Sequence, residues 1–270
     1  IVTSILYILI CLWILPNLIP KNHWLRFYVC YLAFTTYCLT SSLILIPIVI
    51  FLPITYCKRI AVLLATLITK LIGIEWEARN TKIMENGGKG VIVANHQSIF
   101  DLLGLLLVSH VFGNVIVVSR KEIFYFWPIG LLCHLIGCIF VDRANSEAAV
   151  LSLKLAAEAH LSRLDHTTQI IIFPEGTRNR NGNGLLPFKK GAFRIAIDHH
   201  VPIFPIVLSS YYFIEGKKLF TQGKVIITFL EPILTKNLKP ENVDKLLQET
   251  RTLMENEYKN LQKETFKFKI

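Results

Sequence analysis

Charge is scarce in this chain. Only 18% of its 270 residues are Asp, Glu, Lys or Arg, against a usual share of about 25%. Set beside a hydrophobic share of 53%, that shortage excludes an ordinary soluble domain. Acidic residues are the scarcer sign, 19 against 29 basic ones, which leaves a net charge of +10. Such a balance favours an anionic partner. Nucleic acid fits the charge alone; anionic lipid or a phosphorylated substrate fits the hydrophobicity as well. The six cysteines, Cys11, Cys30, Cys38, Cys57, Cys133 and Cys138, include no C-x-x-C pair and none has a histidine at zinc spacing. They read as reduced thiols packed as small hydrophobes. There is no G-x-S-x-G elbow, which argues against a serine hydrolase of that type, and no internal repeat or low-complexity linker. The first residue is Ile1, not methionine, as expected of a trimmed chain or a fragment.

What is present first is grease. Residues 1–20 carry no charge, and neither do residues 27–57; Lys21, His23 and Arg26 lie between the two runs. Crossing a bilayer takes about 20 apolar residues, so both runs are long enough. A removed signal peptide fits poorly, because a second apolar run follows directly. The expectation is a membrane-embedded helical hairpin over 1–57, spanning or re-entrant, with Pro47 and Pro53 kinking or shortening its second helix. Lys58 and Arg59 argue that the end of the second run faces the cytosol, a vote that Lys21 and Arg26 weaken. Residues 59–74 read as an amphipathic helix at the membrane interface.

From about residue 75 the texture changes. Short β-rich runs recur (IEWEA, GVIVAN, NVIVVS, GCIFVD, QIIIFP, PIFPIVL, KVIITFL), with helical stretches at 146–164 and 189–200. The expected fold of 58–270 is therefore α/β, a mostly parallel central sheet flanked by helices. A C-terminal surface helix puts Val243, Leu246, Leu247, Leu253, Met254, Tyr258 and Leu261 on one face. The two prolines of VPIFPIVL suggest an edge strand or a strand entry.

Two polar turns stand where apolar runs end. In VIVANHQSIFD, His96 falls just beyond a strand, with Asp101 five residues on. Open α/β sheets place their sites at that edge. A histidine oriented by a carboxylate is a general base, but Ser98 and Asp101 also spell the start of a helix, which needs no chemistry. The residues leave both open. In FPEGTRN, Glu175, Gly176, Thr177 and Arg178 form a tight turn; Gly176 permits a backbone that a β-carbon would penalise, and Arg178 offers a fork for a phosphate. A surface turn with a local Glu–Arg pair is the plainer alternative. Lys121 and Arg143 bracket an aromatic-rich segment, KEIFYFWPIG, as solvated charges or as the edge of a phosphate site.

Taken together and in order, N-H-x4-D at 95–101, G-x-x-F-x-x-R at 137–143, F-P-E-G-T-R at 173–178 and V-P-I-x-P-I at 201–206 resemble the glycerolipid acyltransferase family. The wording of KEIFYFWPIG and FPEGTRN is most similar to its 1-acylglycerol-3-phosphate branch. The resemblance spans roughly residues 58–235. It implies acyl transfer from acyl-CoA, a co-substrate, to the sn-2 hydroxyl of lysophosphatidic acid, with no resident cofactor and no metal. It makes His96 the base and Asp101 its orienting carboxylate. Arg178, Arg143 and Lys121 would hold the acceptor's phosphate. Glu175, Gly176 and Thr177 would shape that pocket, and Pro202 would border an acyl groove. Backbone N–H groups after His96 are the candidate oxyanion donors. Ser98, close to His96, is the residue an acyl-enzyme route would use. The partners implied are acyl-CoA, lysophosphatidic acid and a lipid bilayer, that of the endoplasmic reticulum, and not nucleic acid. The same chemistry on glycerol 3-phosphate or another lysophospholipid is the neighbouring reading; a non-catalytic anionic-lipid-binding protein is the distant one.

Overall fold

The computed structural model describes residues 15–85, 88–142, 146–161, 167–179, 184–216 and 219–267. Residues 1–14 of the opening apolar run, and Arg143, lie outside these. In chain order the elements are α1 (Leu25–Phe51), α2 (Ile54–Ile72), β1 (Ile74–Arg79), α3 (Lys82–Glu85), β2 (Gly90–Ala94), α4 (Asp101–Leu107), β3 (Asn114–Arg120), α5 (Lys121–Phe124), α6 (Ile129–Leu135), β4 (Ile139–Val141), α7 (Ser146–Leu161), β5 (Thr168–Ile172), α8 (Gly191–Asp198), β6 (Ile203–Leu208), β7 (Ile214–Glu215), β8 (Leu219–Phe220), β9 (Gly223–Phe229) and α9 (Val243–Phe266).

Each of the seven β-rich runs forms a strand of one sheet, in the order β1-β9-β6-β2-β5-β3-β4. All neighbours are parallel except β6 and β9, whose connection is the small β7–β8 ribbon. The central strands β6, β2 and β5 are buried at every position because both faces are covered. Side chains alternate across a strand. Val91, Val93, Ile170 and Ile172 therefore meet α7, α8 and α9 on one face, while Ile92, Ala94 and Ile171 meet α1, α2 and α4 on the other. On α9 the expected face is buried except for Leu253, which is 41% exposed.

VPIFPIVL is not an edge strand: β6 lies between β9 and β2. Pro202 precedes the strand. Pro205 sits where the β9 ladder has ended, its carbonyl accepting the Leu230 N–H at 3.0 Å, so its missing N–H interrupts no ladder bond between β6 and β9.

The N-terminal helices are built into the second core rather than standing apart from it. Phe27, Cys30, Ala33 and Tyr37 of α1 and Ala65, Ile68 and Ile72 of α2 share it with the sheet. Pro47 lies inside α1; the chain turns at Leu52–Pro53, and α2 begins at Ile54, before the expected boundary at 57/58. Arg26, read from the sequence as a topology signal, is buried. Its Nε donates to Phe220 O and its Nη2 to Ile72 O, both at 3.1 Å, and its Nη1 donates to Pro16 O. It therefore staples the start of α1 to the end of α2, which makes the pair an antiparallel hairpin whose Phe51–Tyr56 tip is exposed. Among the described residues α1 is the one helix long and apolar enough to cross a membrane.

Candidate active site

β2, β5, β3, β4 and β6 run parallel, so their C-terminal ends share one edge. The loop after β2 carries Asn95 and His96, and the turn after β5 carries Glu175 to Arg178. Lys121 follows β3. Neighbouring strands β2 and β5 thus place the two motif turns side by side.

His96 Nδ1 lies 2.7 Å from Asp101 Oδ2. Asp101 is fully buried and His96 is 16% exposed at the side chain. A carboxylate only accepts, so Nδ1 carries the hydrogen and Nε2 holds the free lone pair. The imidazole stacks on Phe173 at 4.2 Å, which fixes its plane. Asp101 Oδ2 also accepts the backbone N–H groups of Gln97 at 2.7 Å and Ser98 at 2.9 Å. One oxygen of Asp101 therefore holds two of the loop's amides and the imidazole at once.

That geometry bears on two expectations. The N–H groups of Gln97 and Ser98 are committed to Asp101, and His96 N–H to Glu175, so these are not free for an oxyanion. Ser98 Oγ accepts the Phe100 N–H at 3.3 Å, and His96 Nδ1 is bonded to Asp101, which leaves Nε2 as the ring nitrogen any acyl-enzyme route would have to use.

Glu175 is a clamp. Its Oε1 accepts His96 N–H at 2.8 Å and its Oε2 accepts Leu186 N–H at 3.0 Å. Asn179 N–H donates back to His96 O at 2.7 Å, so both backbone groups of His96 are tied to the FPEGTRN turn. Burial pushes the Glu175 carboxyl up to about 7; the two N–H donors pull it down, the Asp101 charge raises it and Arg251 lowers it. Gly176 has φ +70°, and a β-carbon there would lie 2.8 Å from Lys189 Cε. Thr177 is exposed and Arg178 half-buried. Lys121 is exposed and paired with Asp142 at 2.5 Å, further along the same edge.

Pro202 does not join them. Its carbonyl accepts Val91 N–H at 3.0 Å, at the start of β2. The length of β2, on the order of 13 Å at the usual rise per residue, separates it from the His96 edge. β6 runs parallel to β2, so a residue before β6 must sit at the opposite end.

The sequence reading assigned no role to four residues that hold the site. Asn95 exchanges two bonds with the Leu208 backbone, Nδ2 to O at 2.9 Å and N–H to Oδ1 at 2.7 Å, locking the loop to β6. Gln97 donates to Leu208 O and Ser209 O and accepts from Tyr258 OH at 3.1 Å, so α9 braces the same loop. Lys189 lies against Gly176. Tyr211 OH donates to Asp101 Oδ1 at 2.8 Å. Asn95 and Gln97 flank the histidine and were visible as polar neighbours; nothing local in the sequence marks Tyr211.

A family model described as Acyltransferase matches residues 75–209, half of the chain. The chain belongs to the acyltransferase family. The acyltransferase is 37% identical over 186 residues to the sheep 1-acyl-sn-glycerol-3-phosphate acyltransferase alpha, covering 68% of this chain and 63% of that one. It is 35% identical to the human beta protein (71% and 67% covered), and 34% identical to the Salmonella typhimurium 1-acyl-sn-glycerol-3-phosphate acyltransferase (72% and 77% covered). The match thus spans a little under two thirds of the sheep relative. In fold, the acyltransferase is similar to the crystal structure of the 1-acyl-sn-glycerophosphate (LPA) acyltransferase of Thermotoga maritima, with a TM-score of 0.67 at 20% identity over 86% of this chain and 92% of that one.

Proposed function

We propose that this protein transfers a fatty acyl group from acyl-CoA to the sn-2 hydroxyl of 1-acylglycerol 3-phosphate, giving phosphatidic acid and CoA. The observation that carries the reading is the 2.7 Å His96–Asp101 contact, in a loop that Glu175 ties to the Arg178 turn. The names of the relatives support the acceptor. His96 Nε2 takes the hydroxyl proton, the oxygen attacks the thioester carbonyl, and Asp101 stabilises the imidazolium. The C–S bond then breaks, and the CoA thiolate receives the proton from His96. Thiol release by detergent-purified protein, with a panel of acyl-CoAs and lysophosphatidic acid, glycerol 3-phosphate or monoacylglycerol as acceptor, tests it. Release only with glycerol 3-phosphate would move the acceptor; no release with any of them would sink the reading.

Arg178 holds the acceptor's phosphate in this reading, with Arg143 and Lys121 as further cations; Lys121 would have to exchange Asp142 for it. Charge-assisted hydrogen bonds are worth roughly 1.5–3 kcal/mol, so Arg178→Ala should raise the acceptor KM about 10- to 100-fold. Arg178→Lys should recover only part, because a point charge cannot reproduce the fork. A rise in KM for acyl-CoA alone would assign Arg178 to CoA instead.

The same reading puts residues 1–57 in a membrane, that of the endoplasmic reticulum. Apolar burial does not depend on screened charge. The protein should therefore stay in the membrane pellet through high-salt and alkaline washes; release of intact protein by salt alone would make it peripheral.

A further inference from the structure

Tyr211 lies outside every motif on which the site was read, yet its hydroxyl reaches the catalytic carboxylate. It donates to Asp101 Oδ1 at 2.8 Å, the oxygen that His96 does not use. Three rings from separate segments surround it: Trp76 of β1 at 6.3 Å, Phe100 before α4 at 6.4 Å and Phe213 before β7 at 5.8 Å. The phenol is thereby held in one orientation, pointing at a carboxylate with no exposure to water.

We infer that Tyr211 is a positioning residue for acyl transfer: its hydroxyl fixes the rotamer of Asp101 and tempers the charge that Asp101 presents to the His96 imidazole. This rests on the roles proposed above for His96 and Asp101. Burial and the neighbouring Asp101 charge hold the Tyr211 hydroxyl well above the usual tyrosine range, so it remains a donor throughout the working pH range. Without it, Oδ1 keeps no donor from Tyr211 in a buried site. The carboxylate is then freer to turn away from Nδ1, which slows the proton transfer. Its charge is also less shared, which favours the imidazolium and keeps His96 protonated to higher pH. Among the described residues, the other titratable groups whose charge acts on or is acted on by the pair are Glu175, Tyr31 on α1 and Tyr258 on α9, none of which the substitution alters.

The test is the pH dependence of Tyr211→Phe in the full-length protein, read in two ways. One is kcat/KM with lysophosphatidic acid and acyl-CoA from about pH 5 to about pH 9. The other needs no substrate: the rate at which diethyl pyrocarbonate carbethoxylates His96, followed by mass spectrometry of its peptide. Tyr211→Phe should lower kcat about 10-fold, leave both KM values within about 2-fold, and move the acid limb of both profiles up by about half a pH unit. 3,5-Difluorotyrosine at 211, a stronger donor, should move the limb down. Tyr212→Phe is the control, since its oxygen accepts Lys224 N–H at 3.2 Å and has no contact with Asp101; it should change neither. An acid limb in Tyr211→Phe that coincides with wild type overturns the inference, even if thermal stability or kcat falls, because that is what a packing role would give. If wild type transfers no acyl group, the functional reading fails, and the carbethoxylation limb still decides the place of Tyr211.

Discussion

Replacing His96 with alanine should lower turnover of lysophosphatidic acid and acyl-CoA by at least ~100-fold, within the ~10²–10⁴ that a positioned general base contributes. The fold should survive, for a reason visible in the bonds. The loop is held by the main chain of residue 96, N–H to Glu175 and C=O from Asn179, and by the Asn95 and Gln97 side chains. None of these needs the imidazole. The substitution removes one stacking contact with Phe173 and the Nδ1 bond, and leaves Asp101 Oδ2 two amide donors and Oδ1 its tyrosine. Membrane insertion, expression and melting temperature should stay near wild type while thiol release collapses. Near-full turnover in a well-folded alanine variant would remove His96 from the chemistry and leave the 2.7 Å contact as a loop brace.

What could be read in the sequence was local. Strand alternation and the apolar runs gave all seven strands of the main sheet, and the five-residue spacing brought His96 and Asp101 into contact as expected. The spacing signals the pair because the contact is local, five residues apart, although the loop around it is tied to β6, α9 and the turn after β5. Partners set by topology were not legible. Glu175 was expected to line a pocket, but its carboxylate faces His96 N–H, 79 residues away, and that is decided only when β2 and β5 pair. Pro202 was placed at the site because its motif travels with the others; the parallel register of β6 against β2 puts it at the far edge. Arg26 looked like a surface charge flanking a membrane segment, since no sequence pattern shows that three backbone carbonyls converge on it. The β7–β8 ribbon, two residues per strand, is too short for alternation to reveal.

Asp101 carries two functions on one side chain, and a pair of substitutions should separate them. In Asp101→Asn the amide oxygen can occupy the place of Oδ2 and keep the backbone N–H groups of Gln97 and Ser98 and the ring Nδ1–H of His96 as donors. Its NH2 then takes the place of Oδ1 and faces Tyr211 Oη, which can accept as well as donate. The loop should therefore keep its shape and the protein its melting temperature. Lost is the negative charge beside a ring that must become cationic in the reaction, so turnover should fall at least ~100-fold. In Asp101→Ala the acceptor disappears altogether. Two buried amides are left without a partner, at about 1–3 kcal/mol each, so stability should drop along with activity. Equal, near-normal melting temperatures for the two variants would mean that water replaces the carboxylate as acceptor and that the brace matters little. A stable and fully active asparagine variant would be the graver result: the amides would be what Asp101 is there for, and the imidazole would need no charge beside it.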